Sequence, residues 1–282
     1  MELMKTFRFF SLLSMVSCAL LSTQAQEIRH FYTPALQSFS NKLATLSGDR
    51  LESLLIGVDT YKDLFKDASP EVADSAYVLL EDFTVLNLQN TEFNLILLQA
   101  GNADRQEAEQ QAAQNYERLL YNNYFSVNRS QGYITVEPDL ARIQNELQSY
   151  LSPRTYAFFT AVQQENQNGE STDITEIEPL ELARRACFWD NFLNNGSEFL
   201  YREEAVQRRD AYLEQLVFGS DNYPLFMPDR NLDTAYRKAY LYIMGNENAV
   251  QQGKTATVIR DFWKVLERNA WRDKPEVWMF TY

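Results

Sequence analysis

Apolar side chains recur every three to four positions along almost the whole chain. A chain with that spacing must coil into helices that hide their apolar stripes against one another. The pattern is clearest at Leu51, Leu54, Leu55, Val58, Tyr61, Leu64 and Phe65, which share one helical face. Breakers are scarce, with nine glycines and eight prolines in 282 residues, so little interrupts helix formation. The expected fold class is all-α: an irregular multi-helix bundle of about nine helices by this periodicity. Helix lengths vary and no fixed period emerges, which disfavours a solenoid.

Local signals place the ends. A first helix is expected over 28–46, closed by Ser47-Gly48 with the glycine left-handed. Asp49 with Glu52 reads as a capping box for the second. Ser69 should supply the N-cap oxygen of the third, with Pro70 at its first position. That helix should run toward Leu98, with a break near 87–90. Further helices are expected at 105–125, 138–151, 153–164, 179–193, 198–218, 232–244 and 255–270. The one strand-like run is Gly132-Tyr133-Ile134-Thr135-Val136, a short β-like arm at 132–136. The tail, Trp278 to Tyr282, is too apolar to float free. The polar stretch 166–178 is the best linker candidate, so 26–282 reads as one helical domain with a subdivision near 166–178.

The N-terminus has the three parts of a secretory signal. Lys5 and Arg8 form the basic part, Phe9 to Leu21 the apolar part, and Thr23-Gln24-Ala25 a cut site. The apolar run falls short of the ~20 residues that cross a bilayer, and no later stretch reaches that length, so no transmembrane segment is expected. Residues 1–25 are therefore expected to be removed, leaving a periplasmic or secreted bacterial protein. Cys18 offers the alternative of a lipoprotein anchor. Ser17 suits that chemistry, but Met15 suits it poorly and the apolar run continues past Cys18.

Removing Lys5, Arg8 and Glu2 with the leader leaves 24 basic and 38 acidic residues, a net charge of −14. Such a field disfavours nucleic acid and anionic membrane surfaces as partners. One cysteine, Cys187, remains, so no internal disulfide forms. Cys187 lies among Ala186, Phe188 and Trp189, as a buried, inert thiol would. The chain has one histidine, His30. One histidine and one cysteine do not build a zinc site. Walker A, GxGxxG, GxSxG and calcium-loop patterns are absent. No metal and no cofactor are expected.

Two groups of residues remain. The loop 219–231, GSDNYPLFMPDRN, is long for a compact domain, and such loops either bind or are held by their own packing. Its binding candidates are Tyr223, Phe226, Asp229 and Arg230. The acids Asp190, Glu198, Glu203 and Glu204 beside Trp189 could supply the carboxylate pair that glycan hydrolysis needs. Arg202, Arg208 and Arg209 interleave with them at ion-pairing distance along a helix. Leu232 to Tyr240, with Arg260-Asp261-Phe262-Trp263 and Trp271-Arg272-Asp273, resembles the helical repeat of small cysteine-paired periplasmic lysozyme inhibitors. The likeness stops at those segments, and the cysteines that mark that family are missing.

These features point to a non-enzymatic binding or interaction protein of the cell envelope, with a protein or glycan partner. A carboxylate-based glycan hydrolase is the alternative. Mass spectrometry of the exported protein should find Gln26 as the first residue. A diacylglyceryl group on Cys18 would replace that reading with the lipoprotein one.

Overall fold

Thr33 opens the first described helix because its hydroxyl oxygen accepts the Leu36 N–H at 3.2 Å. Pro34 follows at a position where a missing N–H costs nothing. The structure is a computed structural model that describes residues 33–99, 107–130, 133–167, 173–194, 199–245 and 253–282. Among the described residues the protein is all-α, with 12 α-helices and one two-stranded sheet. The leader, His30, Glu198 and the centre of the 166–178 stretch lie outside the described residues. No described helix is long and apolar enough to cross a membrane.

In order, the helices are α1 (Pro34–Thr45), α2 (Glu52–Phe65), α3 (Pro70–Asn90), α4 (Leu95–Gln99) and α5 (Glu107–Asn122). The strands β1 (Phe125–Ser130) and β2 (Tyr133–Pro138) come next, then α6 (Leu140–Glu146) and α7 (Pro153–Gln167). After a 3-10 turn at Ile174–Glu176 come α8 (Pro179–Asn194), α9 (Arg202–Phe218), α10 (Thr234–Gly245), α11 (Lys254–Arg268) and α12 (Pro275–Trp278). The chain forms two compact units, Met1–Tyr156 and Ala157–Tyr282.

In the first unit, α1 buries Leu36, Phe39 and Leu43, and α2 buries Leu54, Val58, Tyr61 and Phe65. Phe39 meets Tyr61 and Phe65 edge-on, at centroid distances of 5.9 and 5.4 Å. Such aromatic pairs add to the area they bury. The Tyr61 hydroxyl donates to the Ala73 carbonyl at 2.9 Å, so this buried ring keeps its polar end satisfied. Strands β1 and β2 pair antiparallel, Phe125 opposite Pro138 and Ser130 opposite Tyr133. Thus the β-like arm expected at 132–136 is one half of a hairpin. Asp74 is buried on α3 and accepts the Ser152 N–H (2.9 Å) and the Thr155 hydroxyl (2.8 Å) at the start of α7.

In the second unit, Trp189 is fully buried on α8 among Phe158, Phe188 and Phe192. Phe158 stacks on Tyr201 at 5.1 Å. Tyr240 is fully buried on α10, and its hydroxyl reaches the Leu216 carbonyl at 2.6 Å. Helix α11 buries Val258, Ile259, Phe262 and Leu266, while Trp263 is half-exposed. The tail docks as its composition suggests: Val277 is buried, and Phe280 packs on Phe262 at 5.0 Å. Asp190 here does what Asp74 does in the first unit. It is 1% exposed, accepts the Thr255 N–H at 2.9 Å and pairs with Arg209 at 3.5 Å.

Several local expectations are corrected. The twelve described helices exceed the ten expected ranges, counted above as about nine, because the third expected helix splits in two and the tail adds one turn. The split comes later than expected: α3 runs unbroken through 87–90 and ends at Asn90, where Thr91 turns extended. Gly48 is not left-handed; α1 closes at Leu46 in an extended conformation. Glycine instead allows close approach, since a Cβ there would lie 3.3 Å from Asn90 Nδ2. The Gly48 carbonyl accepts from Asn87 Nδ2 (2.8 Å) and the Thr91 hydroxyl (3.2 Å). The capping box is absent: α2 begins after Leu51 with no side-chain cap, and Asp49 accepts from the Ser47 hydroxyl. Ser69 occupies the N-cap of α3 but makes no side-chain bond to the helix backbone; its hydroxyl bonds Glu71.

All four tryptophans lie in the second unit, so their emission reports its unfolding. Replacing Asp190 with Ala strands the buried Thr255 N–H and leaves the mostly buried Arg209 guanidinium with Asp210 as its remaining carboxylate. The expected cost is about 2 kcal/mol, read from urea denaturation followed by tryptophan emission.

Candidate functional site

Helix α9 stops at Phe218 because Gly219 turns left-handed, with φ +73°. A Cβ at Gly219 would sit 2.7 Å from the Leu225 nitrogen, so only glycine fits the turn. The returning loop is tied down bond by bond. Ser220 donates its hydroxyl to the Thr175 carbonyl (2.7 Å) and accepts the Tyr223 N–H (3.0 Å). The Tyr236 hydroxyl donates to the Tyr223 carbonyl at 2.7 Å, and Leu225 is buried. Asp229 accepts both the backbone N–H (3.0 Å) and the side-chain amide (2.7 Å) of Asn231. These bonds hold the Asp229 carboxyl below the usual carboxylate range, with Arg272 adding to the effect.

The loop lies against the corner that follows α11. There the Ala270 N–H donates to the Glu267 carbonyl (3.0 Å) and the Trp271 N–H to the Leu266 carbonyl (2.8 Å). That is a Schellman closure, which normally places glycine in its left-handed position. Here Ala270 (φ +55°) and Trp271 (φ +59°) are both left-handed. Arg230 in the facing loop is too, at φ +65°. Each such residue costs roughly 1–2 kcal/mol, and strain of this kind concentrates at functional sites. The corner and the loop are joined through backbone, with the Leu232 N–H on the Trp271 carbonyl and the Asp273 N–H on the Arg230 carbonyl, both at 2.9 Å.

Asp273 is the hub of this surface. One carboxylate oxygen accepts the Trp278 indole N–H at 2.7 Å, and the other lies 3.5 Å from Arg230 Nε. Its carbonyl accepts from Arg230 Nη2 at 2.9 Å. Phe226 meets Trp278 edge-on at 5.6 Å. Trp278 nevertheless stays 45% exposed, and the Arg230 side chain 66%. Met227 and Met279 are exposed next to them in sequence. Nearby, Trp263 abuts Trp271 at 4.5 Å, and the Arg237 guanidinium lies 5.1 Å from the Trp271 ring centre. The result is an exposed aromatic and cationic surface whose members are held by their neighbours.

Of the four loop candidates, the structure joins Phe226 and Arg230 through Trp278 and Asp273. Tyr223 is half-buried and anchored by its backbone, while Asp229 serves its own turn. Sequence reasoning missed Asp273, Trp271 and Trp278 as members of the site. The apolarity of the tail was the one available signal.

The acidic candidates have separate partners. Asp190 is buried on Thr255 and Arg209. Glu204 accepts from Arg208 Nε (3.1 Å) and Nη2 (2.8 Å), Glu203 is exposed, and Glu198 lies outside the described residues. Burial, with Asp190 nearby, pushes the Cys187 thiol up to about 12, so it stays protonated at neutral pH. Among the described residues, no group of three or more His, Cys, Asp or Glu side chains is placed to hold a metal ion.

Comparisons with known protein families, with curated proteins and with solved structures find no match to this chain.

Because glycine takes the left-handed conformation without penalty, Ala270→Gly should stabilise the second unit by about 1 kcal/mol. Urea denaturation would register this as a higher midpoint with an unchanged slope.

Proposed function

We propose that the protein is an exported, non-enzymatic binding protein of the bacterial envelope. The surface at Arg230, Asp273 and Trp278 would be its contact point. The observation that carries this reading is the Asp273 hub, which holds an exposed tryptophan and an exposed arginine in fixed positions beside strained backbone. Tryptophan and arginine dominate the energetics of protein interfaces, and side chains already ordered lose less entropy on binding. The flanking Phe226, Met227 and Met279 suit the apolar centre of such a contact, so a protein partner is favoured. Export rests on the basic, apolar and small-residue parts of the leader.

The experiment is affinity capture from envelope fractions with the mature protein as bait, compared with Trp278→Ala and Arg230→Ala. Each variant should lose at least tenfold in affinity for the captured partner, which corresponds to about 1.4 kcal/mol. Arg230→Ala should melt close to the wild type, because its side chain is largely exposed; Trp278→Ala, which also loses its Phe226 and Asp273 contacts, is compared well below its own melting temperature. Equal capture by all three proteins would sink the assignment of this surface.

A further inference from the structure

A cleft in the same unit shares no residue with the Trp278 surface. Helices α7 and α8 enclose a cleft of about 190 Å³ lined by Gln164, Glu165, Glu181, Arg184, Arg185 and Phe188. Its floor is rigid. Glu165, whose side chain is 11% exposed, accepts the Trp189 indole N–H (2.7 Å), the Tyr212 hydroxyl (3.1 Å) and Arg208 Nη1 (3.3 Å). Arg208 is itself held by Glu204, and the Arg185 Nε donates to Glu181 at 3.2 Å. The mouth is open, with the Arg184 side chain 56% exposed and Phe188 45% exposed. Phe188 meets Trp189 edge-on at 5.1 Å and lies near-parallel to Phe192 at 6.1 Å, so its ring is set in place.

We infer that this cleft binds one neutral pyranose ring, either a free monosaccharide or the terminal residue of a glycan. Three observations converge on that class. The volume is below the ~300 Å³ at which pockets enclose drug-sized ligands, so a single ring fits. The charges cancel: Glu181, Glu165 and Glu204 pair with Arg184, Arg185 and Arg208, three carboxylates against three guanidiniums. A charged ligand would arrive without a counter-charge and would lose its hydration uncompensated. Sugar hydroxyls both donate and accept, so they can use spare carboxylate lone pairs and the Arg184 and Gln164 N–H groups without disturbing these pairs. Finally, the exposed Phe188 ring offers a π-face of negative potential against the polarised C–H bonds of a pyranose face.

The test is titration of the full mature chain with glucose, galactose, mannose and N-acetylglucosamine. Glucuronate and glucosamine serve as charged counterparts. Binding is followed by calorimetry and tryptophan emission. At least one neutral sugar should saturate and shift the emission, because Glu165 is bonded to Trp189, and the charged analogues should bind at least tenfold more weakly. Phe188→Ala and Arg184→Gln should each weaken binding about tenfold; Arg184→Gln should leave the melting temperature unchanged because its side chain faces solvent, and Phe188→Ala, which also loses its Trp189 and Phe192 contacts, is titrated well below its own melting temperature. No saturation by any neutral sugar, a preference for the charged ones, or variants that bind like the wild type would each overturn the inference. None of those results bears on the Trp278 surface. Release of reducing ends from oligosaccharides would support the sugar site and overturn the non-enzymatic reading instead.

Discussion

Both units depend on the same device: a buried aspartate that receives the start of a helix far along the chain. Asp74 holds the beginning of α7 across 78 residues of sequence, and Asp190 holds the beginning of α11 across 65. The first turn of a helix leaves N–H groups without intrahelical partners, and its dipole favours negative charge there. A buried carboxylate answers both needs in one step. Asp190 also places Arg209 against the α8–α9 packing, so one side chain fixes three helices in the second unit. With Cys187 buried as a free thiol, non-covalent closures of this kind join distant parts of the chain.

The helical class and most element positions were legible because a period of three to four residues is a local property. Leu54, Val58, Tyr61 and Phe65 lie on the buried stripe their spacing announces, and the alternating run at Tyr133 is a strand. Cap chemistry was less legible because it depends on what else competes for the same groups. Asp49 bonds Ser47, Ser69 bonds Glu71, and Gly48 serves a close approach to α3. Each choice is made by a neighbour that a three-residue signature does not contain.

The two candidate sites differ in the same way. The loop 219–231 stood out by its length and prolines, but the residues that complete the candidate surface come from Trp271 to Trp278, forty or more positions further along the chain. Ala270 gave no cue, since glycine is the residue that normally marks a left-handed closure. The α7–α8 cleft had no sequence signal at all: Glu165 reads as one polar residue among many until Trp189, Arg208 and Tyr212 converge on it. Both surfaces consist of exposed groups fixed by buried or half-buried neighbours, and this is what separates them from ordinary solvated side chains.

The burial of Cys187 has a practical consequence. Its thiol is shielded and stays protonated at neutral pH, so it competes poorly for sulfhydryl reagents. In a chain processed after Ala25, a cysteine engineered at any solvent-facing position would become the dominant reactive thiol. Attachment of a dye or spin label at one engineered site, or at a chosen pair of sites for a distance within either unit, then requires no prior removal of native cysteine.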